Sequence, residues 1–195
     1  MAKVKGPLFS LDASGKVADS LVYMKWKGIS DVRSYVIPAN PKTEKQQTQR
    51  TKLKEAVDIW HSTAFNDLDF EAWDLYASIM PTPMSGFNAF VKSYIDAQVA
   101  GKNFTAIHGG TISNITSTSF TFTIKSDLAA DVKLYIGTSK TILGHEVAGT
   151  YNAGTKTWAF TVEGLAAGTK YYFEVKSTYP ADAGRTGIYT VITTT

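Results

Sequence analysis

Residues 40–60 read NPKTEKQQTQRTKLKEAVDIW, and this stretch decides how the first part of the chain folds. The residues before it have the pattern of a β-hairpin, and those after it have the pattern of helices. Asn40 suits a helix N-cap and Pro41 suits the first helical position, where the missing N–H of proline would be unpaired anyway. Thr43 and Gln46 have capping-box spacing and offer a second possible start. The stretch therefore predicts a helix that begins at one of these two points.

The two ends of this predicted helix differ in character. Its first half carries cations and amides with almost nothing apolar, whereas Leu53, Val57 and Trp60 recur at helical spacing in its second half. We therefore expect the second half, which includes Trp60, to pack, and the first half to face water or a partner. Together with two cations of the hairpin, the candidate partner-docking residues are Lys25, Arg33, Lys42, Lys45, Gln46, Gln49, Arg50 and Lys54.

The composition is that of a soluble protein and excludes several kinds of chemistry. The 195 residues include no cysteine, which removes disulfides, thiolate nucleophiles and cysteine-bound zinc. The first sixteen residues carry positive charge but no apolar run of signal-peptide length, and no stretch approaches the length of a membrane span. We therefore expect no membrane partner.

The charges are distributed unevenly along the chain. Residues 1–54 hold eleven Lys or Arg against four Asp or Glu, a net charge of +7, whereas residues 55–103 hold two against seven, a net charge of −5. Such a dipolar distribution suits head-to-tail association between copies or docking on an acidic surface. A surface on which the charges interleave after folding is the alternative.

The residues up to 103 predict a β-hairpin followed by three helices. Two β-rich runs, 21–28 and 31–38, are separated by a turn at Gly28. Asn66 or Asp67 can cap a second helix, whose apolar stripe includes Phe70 and Trp73 and which ends before Pro81. Ser85 and Gly86 open a third helix, in which Phe87, Phe90, Val91 and Tyr94 form a core stripe and which Gly101 ends.

After residue 103 the hydrophobic period changes from 3.6 to 2. Apolar and threonine residues alternate around Phe122, Leu134, Phe160 and Phe173, and turn residues separate these runs at short intervals. Several short alternating strands within about 90 residues predict a β-sandwich. We therefore expect an α+β docking domain at 1–103 and an all-β, immunoglobulin-like sandwich at 104–195.

The segment LAAGTKYYFEV (165–175), together with ISNITSTSFTFTI (112–124), resembles a fibronectin type III domain. The resemblance implies a tyrosine corner, which maps to Leu165, Thr169 and Tyr171. The chain departs from the family pattern at Ala167, where proline is usual, and it lacks the tryptophan of the early strands. The resemblance covers residues 105–195 and implies a fold, not a ligand.

Residues 14–94 resemble a group of small proteins encoded by tailed phages and prophages. The shared series is SGK, a hairpin, an arginine, NPKTEKQQTQR, a tryptophan helix and the helix start SGFNAF. The resemblance implies a virion component that is assembled in the host cytoplasm, whose partners are other virion proteins or copies of itself.

No pattern of catalytic or metal-binding residues stands out. His61, His108 and His145 are far apart in sequence, and neither a nucleophile elbow nor a dinucleotide fingerprint is present. The run Asp67, Asp69, Glu71 and Asp74 suits the N-terminus of a helix better than a cation site. We therefore expect no enzyme activity, no cofactor and no metal.

Three functions are compatible with these observations. The first is a structural protein of a phage particle that docks through the N-terminal domain and projects the sandwich, and we favour it. The second is a nucleic-acid-binding protein that uses the basic hairpin and helix face. The third is an adhesion module whose sandwich binds a sugar or a host surface.

Overall fold

A computed structural model describes residues 2–3, 15–26, 29–37 and 39–195, which form two compact units, Met1–Thr43 and Glu44–Thr195. The boundary expected between residues 103 and 104 lies inside the second unit. The hairpin region belongs to a compact unit of its own, and the three helices share a unit with the sandwich.

The first unit is a four-stranded antiparallel sheet. Its strands are β1 (Ala2–Lys3), β2 (Gly15–Val17), β3 (Leu21–Trp26) and β4 (Ile29–Ser34), in the order β1-β4-β3-β2. The predicted hairpin corresponds to β3 and β4, and its turn at Gly28 lies outside the described residues. The two short outer strands were not predicted from the sequence.

Three helices open the second unit. They are α1 (Glu44–Ser62), α2 (Asp67–Ser78) and α3 (Gly86–Val99). Ser85 caps α3, as the sequence indicates. Of the two caps that the sequence offers for α2, Asn66 and Asp67, the structure has Asn66, in a capping box with Asp69. Asn40 and Pro41 do not begin α1, because Lys42 has a φ of 49°, which is incompatible with a right-handed helix. The helix begins directly after Thr43, the second of the two predicted starts.

The eight remaining strands form a β-sandwich. Its first four strands are β5 (Ile107–Ser113), β6 (Phe120–Ser126), β7 (Val132–Gly137) and β8 (His145–Ala148), and its last four are β9 (Thr150–Asn152), β10 (Thr157–Val162), β11 (Lys170–Ser177) and β12 (Tyr189–Ile192). They build two antiparallel sheets, with the orders β5-β6-β10-β9 and β12-β11-β7-β8. Their alternating residues fill one core between the sheets, including Phe122, Leu134, Phe160, Phe173 and Val175. The protein is therefore an α+β protein with a β-sandwich.

The helices are attached to the sandwich through the middle of α2. Ala72 belongs to the sandwich core, and its carbonyl accepts a hydrogen bond from the N–H of Ile188 at 2.9 Å. This close approach requires glycine at position 187, because a Cβ there would lie 2.3 Å from the carbonyl carbon of Ala72. Residues 44–195 are held together as one unit by such contacts.

A second core lies among the helices. Trp73 and Phe90 are almost fully buried there, with their ring centroids 5.3 Å apart, and the core extends to Ile188 of the sandwich segment. Only Ala56 of α1 is fully buried. Helix α1 is therefore the most weakly embedded of the three helices.

The loop between β10 and β11 contains the hydrogen bond that a tyrosine corner predicts. The hydroxyl of Tyr171 accepts a hydrogen bond from the backbone N–H of Ala166 at 2.9 Å. Thr169 is part of the same loop, and its N–H donates to the hydroxyl of Thr193 at 2.9 Å. These bonds fix the loop against the end of β12.

Candidate docking surfaces

The first two turns of α1 are residues 44–51, and we call them the polar end of α1. Their sequence, EKQQTQRT, includes the candidates Lys45, Gln46, Gln49 and Arg50 and contains no apolar side chain. All eight residues are exposed, whichever side of the helix they occupy. The polar end therefore contributes nothing to the core of the unit.

The helix begins to pack at Lys52, whose Nζ donates to the backbone carbonyl of Gln98 at 3.4 Å. The next candidate, Lys54, forms an exposed ion pair with Asp58 at 2.7 Å, so part of its charge is used within α1. This ion pair raises the pKa of Lys54, mainly through the hydrogen bond to Asp58. Lys54 is thus less suited to a partner than its position in the sequence indicates.

The three remaining docking candidates lie in the first unit. Lys25 is exposed on β3, Arg33 is exposed on β4, and Lys42 is exposed in the segment before α1. The eight candidates, expected on one docking domain, are therefore distributed over two compact units.

A group of aromatic side chains near the surface of the second unit was not predicted as a site. Trp60 stands at its centre, with ring centroids 5.1 Å from Phe65, 5.3 Å from Phe70 and 5.6 Å from Phe87. Trp60, Phe65 and Phe87 are half-buried, and Phe70 is 38% exposed, although the spacing of α2 predicted it in the core. Asp67, Glu71 and Asp74 are exposed residues of α2 close in sequence to Phe70, and we call this whole group the aromatic–acidic patch.

Two of the three acidic residues of the patch have a structural role in the helices, and the third has none. Asp67 lies in the first turn of α2, where the helix dipole favours a carboxylate. Asp74 accepts a hydrogen bond from the N–H of Gly86 at 2.9 Å, at the start of α3. Glu71 has neither role and lies four residues from Asp67, a like-charge spacing that destabilises a helix. Within the described residues, no Lys or Arg nitrogen lies within 4.0 Å of either Asp67 or Glu71.

Asp69, which the sequence placed among the acidic residues at the start of α2, is instead a buried link between helix and sandwich. It is 1% exposed and accepts hydrogen bonds from the N–H groups of Asn66, Gly109 and Gly110 at 3.0, 2.7 and 3.1 Å. The hydroxyl of Tyr189 donates a fourth at 2.6 Å, and burial raises the pKa of that hydroxyl well above its usual value. The capping-box spacing of Asn66 and Asp69 was the only signal in the sequence.

His108 lies beside this link. Its Nδ1 is buried and has no hydrogen-bond partner among the described residues, and its ring stands edge-on to Phe65 at 6.1 Å. Burial lowers the pKa of His108, and the charge of Lys125 also lowers it, whereas the charges of Asp69 and Asp127 raise it. The surroundings therefore favour the neutral form of the imidazole.

Two clefts of the second unit contain no arrangement with evident chemistry. One, of about 500 Å³, lies beside Arg185, whose guanidinium stacks on Tyr76 at 4.0 Å and pairs with the buried Glu174. A second cleft of about 410 Å³ at the other end of the sandwich is lined by Ile136, Leu165, His145 and Glu163 among others. Among the described residues, no three His, Asp or Glu side chains are grouped so that they could hold a metal ion.

Comparison with known proteins finds no family model and no curated protein that matches the chain. Among solved structures, the chain is similar to the FN5 domain of Drosophila Lar, with 23% identity, a TM-score of 0.35, and coverage of 46% of this chain and 96% of that one. It is also similar to a longer form of the sensor domain of the anti-sigma factor RsgI4 from Pseudobacteroides cellulosolvens, with 16% identity, a TM-score of 0.35, and coverage of 47% and 90%.

None of the helices in the described part of the chain combines the length and the apolar character that a membrane span requires.

Proposed function

We propose that the chain is a non-enzymatic structural component of a bacteriophage particle, located on the capsid, among its decoration proteins or at the head–tail region. The observation that carries the proposal is the polar end of α1, which is exposed on every side. The resemblance of residues 14–94 to phage and prophage proteins gives the class of particle.

The polar end of α1 has no apolar face to pack against the rest of the second unit. Short helices are marginal in water, and in proteins most of their stability comes from packing an apolar face. A helix that is polar all round is typical of a segment that bridges to another body. The side chains of the polar end can form hydrogen bonds to carboxylates and carbonyls of a partner, and arginine can do so through two parallel bonds. Docking would therefore stabilise the helix that performs it.

The sandwich would be the displayed part, and we assign it as fibronectin type III-like. The sheet orders and the hydrogen bond between Tyr171 and Ala166 support this assignment. Threonine-rich strands with a closed core suit a module that is exposed to solvent.

The experiment is to purify particles of the phage or prophage that encodes the chain and to measure their protein composition. We expect the chain at a fixed copy number per particle that survives washing in high salt. A chain that stays in the soluble fraction while intact particles form would overturn the proposal.

The nucleic-acid alternative predicts a different measurement. Binding through the basic residues would weaken steeply with salt, with a log–log slope of about −0.9 per phosphate contacted. DNA affinity of the purified chain, titrated at several salt concentrations, therefore separates the two functions.

A further inference from the structure

We propose that the aromatic–acidic patch is the docking site for the first unit, residues 1–43, of a second copy of this chain. The inference rests on the proposed function, because it names the partner that an assembly protein would use. Copies joined in this way associate head to tail.

The patch has the composition of a protein-binding surface. Binding energy at interfaces is concentrated in central aromatic side chains, which a polar rim surrounds and shields from water. Trp60 and Phe70 provide such a centre, because their ring centroids lie 5.3 Å apart and both side chains are at least partly exposed to solvent. Asp67 and Glu71 provide a negatively charged rim. The whole stretch of residues 55–91 contains no Lys or Arg.

The first unit has the complementary composition. Residues 1–43 hold seven Lys or Arg against three Asp, a net charge of +4. Val17 and Leu21 are cross-strand partners and are 48% and 38% exposed. Alternation along β3 puts Leu21, Tyr23 and Lys25 on the same face of the sheet. This face therefore combines exposed apolar side chains with a cation, as a partner of the patch requires.

A second copy is the occupant we choose because the small sheet needs cover. A four-stranded sheet must bury one face against another layer, and a unit of 43 residues has little chain with which to build that layer. The face that holds Val17 and Leu21 and the patch on α2 are different surfaces. Their contact joins different surfaces of two copies, so it is either reciprocated within one closed dimer or repeated in a ring or a filament.

The test uses two variants of the full chain that each remove one half of the contact. Asp67→Asn/Glu71→Lys alters the patch and keeps the sheet, whereas Leu21→Ser/Lys25→Glu alters the sheet and keeps the patch. Arg33→Glu, on the opposite face of the sheet, and Glu163→Lys, on the sandwich, are matched controls. Sedimentation velocity measures the oligomeric state of each protein alone and of mixtures.

We expect the natural chain and both controls to associate as concentration rises, and to dissociate at high salt. Each interface variant alone should be monomeric. An equimolar mixture of the two should form dimers and stop there, since one intact sheet face and one intact patch remain for a single contact.

Two results would overturn the inference. One is a natural chain that stays monomeric up to on the order of 100 μM, beyond the range of weak interfaces. The other is a mixture of the two variants that forms no dimers. Neither result would affect the proposed function, which is measured separately by the presence of the chain in particles.

Discussion

Asp69 is a buried carboxylate that accepts four hydrogen bonds, three from backbone N–H groups and one from Tyr189. Hydrogen bonds to a charged group contribute more than neutral ones, and a buried donor left without an acceptor is costly. Asn at this position keeps the shape but brings an NH₂ group towards donors. We expect Asp69→Asn to lower the free energy of unfolding by roughly 2–3 kcal/mol.

Chemical denaturation of the Asp69→Asn variant measures this difference. Glu71→Gln is the control, because it also neutralises a carboxylate of α2 but at an exposed position, where changes stay within about 0.5 kcal/mol. Equal stability of the two variants would show that the network around Asp69 does not hold helix and sandwich together.

His108 makes the stability depend on pH. Its folded-state pKa is lowered by burial, while an unfolded histidine titrates near its ordinary value of about 6.5. The unfolded state therefore binds more protons below that pH, and stability is lost as the pH falls, by at most about 1.4 kcal/mol per pH unit for one proton. At a pH above the ordinary pKa of histidine, the contribution of His108 to the free energy of unfolding is fully present.

We expect His108→Phe to flatten the dependence of unfolding free energy on pH between about 7.5 and 5.5, where histidine titrates. His61→Phe, which changes an exposed histidine, is the control. A slope that both variants share with the natural chain would exclude His108 as its source.

At the scale of elements, the contact of α2 with the segment before β12 depends on the absence of one side chain. A Cβ at Gly187 would lie 2.3–2.4 Å from backbone atoms of Ala72 and Trp73, and a backbone cannot yield as a flexible side chain can. We expect Gly187→Ala to destabilise the protein by at least about 2 kcal/mol. Gly144→Ala, which meets nothing within 4 Å, should change stability by no more than about 0.5 kcal/mol. Similar melting temperatures for the two variants would contradict this packing.

The elements themselves could be predicted well where local signals agree. The cap Ser85 and the alternating strands around Phe122 and Phe173 were found where the sequence placed them, and the cap of α2 is Asn66, one of the two residues that the sequence offered. The start of α1 could not be decided, because its choice depends on the backbone at Lys42.

The candidate surfaces were predicted less completely than the elements. The polar end of α1 follows from its composition. The aromatic–acidic patch does not, because helical spacing shows that Phe70 lies on a stripe but not how completely the neighbouring helices cover it. The burial of Asp69 likewise depends on Gly109, Gly110 and Tyr189, which are distant in sequence.

At the scale of the whole molecule, the division of the chain predicts where a protease cuts first. Residues 35–37 and 39–43 have no regular secondary structure, whereas Asn103 forms backbone hydrogen bonds with Ala181 and Ala183 at 2.9 and 2.8 Å. We expect limited trypsin digestion to cleave at Lys42 or within the polar end of α1 before it cleaves at Lys102. Mass spectrometry of the fragments identifies the site. Early release of a fragment that begins at Asn103 would restore the division expected from the sequence.

Docking through the polar end of α1 is the central claim, and the copy number of variants in purified particles tests it most directly. Lys45→Ala/Gln49→Ala removes two exposed polar groups one turn apart and keeps a good helix former at both positions. Lys170→Ala/Thr161→Ala removes a charge and a polar group from exposed strand positions of the sandwich. Each variant is produced together with the natural chain as competitor, and its copy number in purified particles is measured. We predict that the α1 variant is depleted from particles at least about tenfold, as the loss of one charge-assisted hydrogen bond implies. We predict that the sandwich variant is retained. Equal retention of both variants, or depletion of the sandwich variant alone, would contradict the claim.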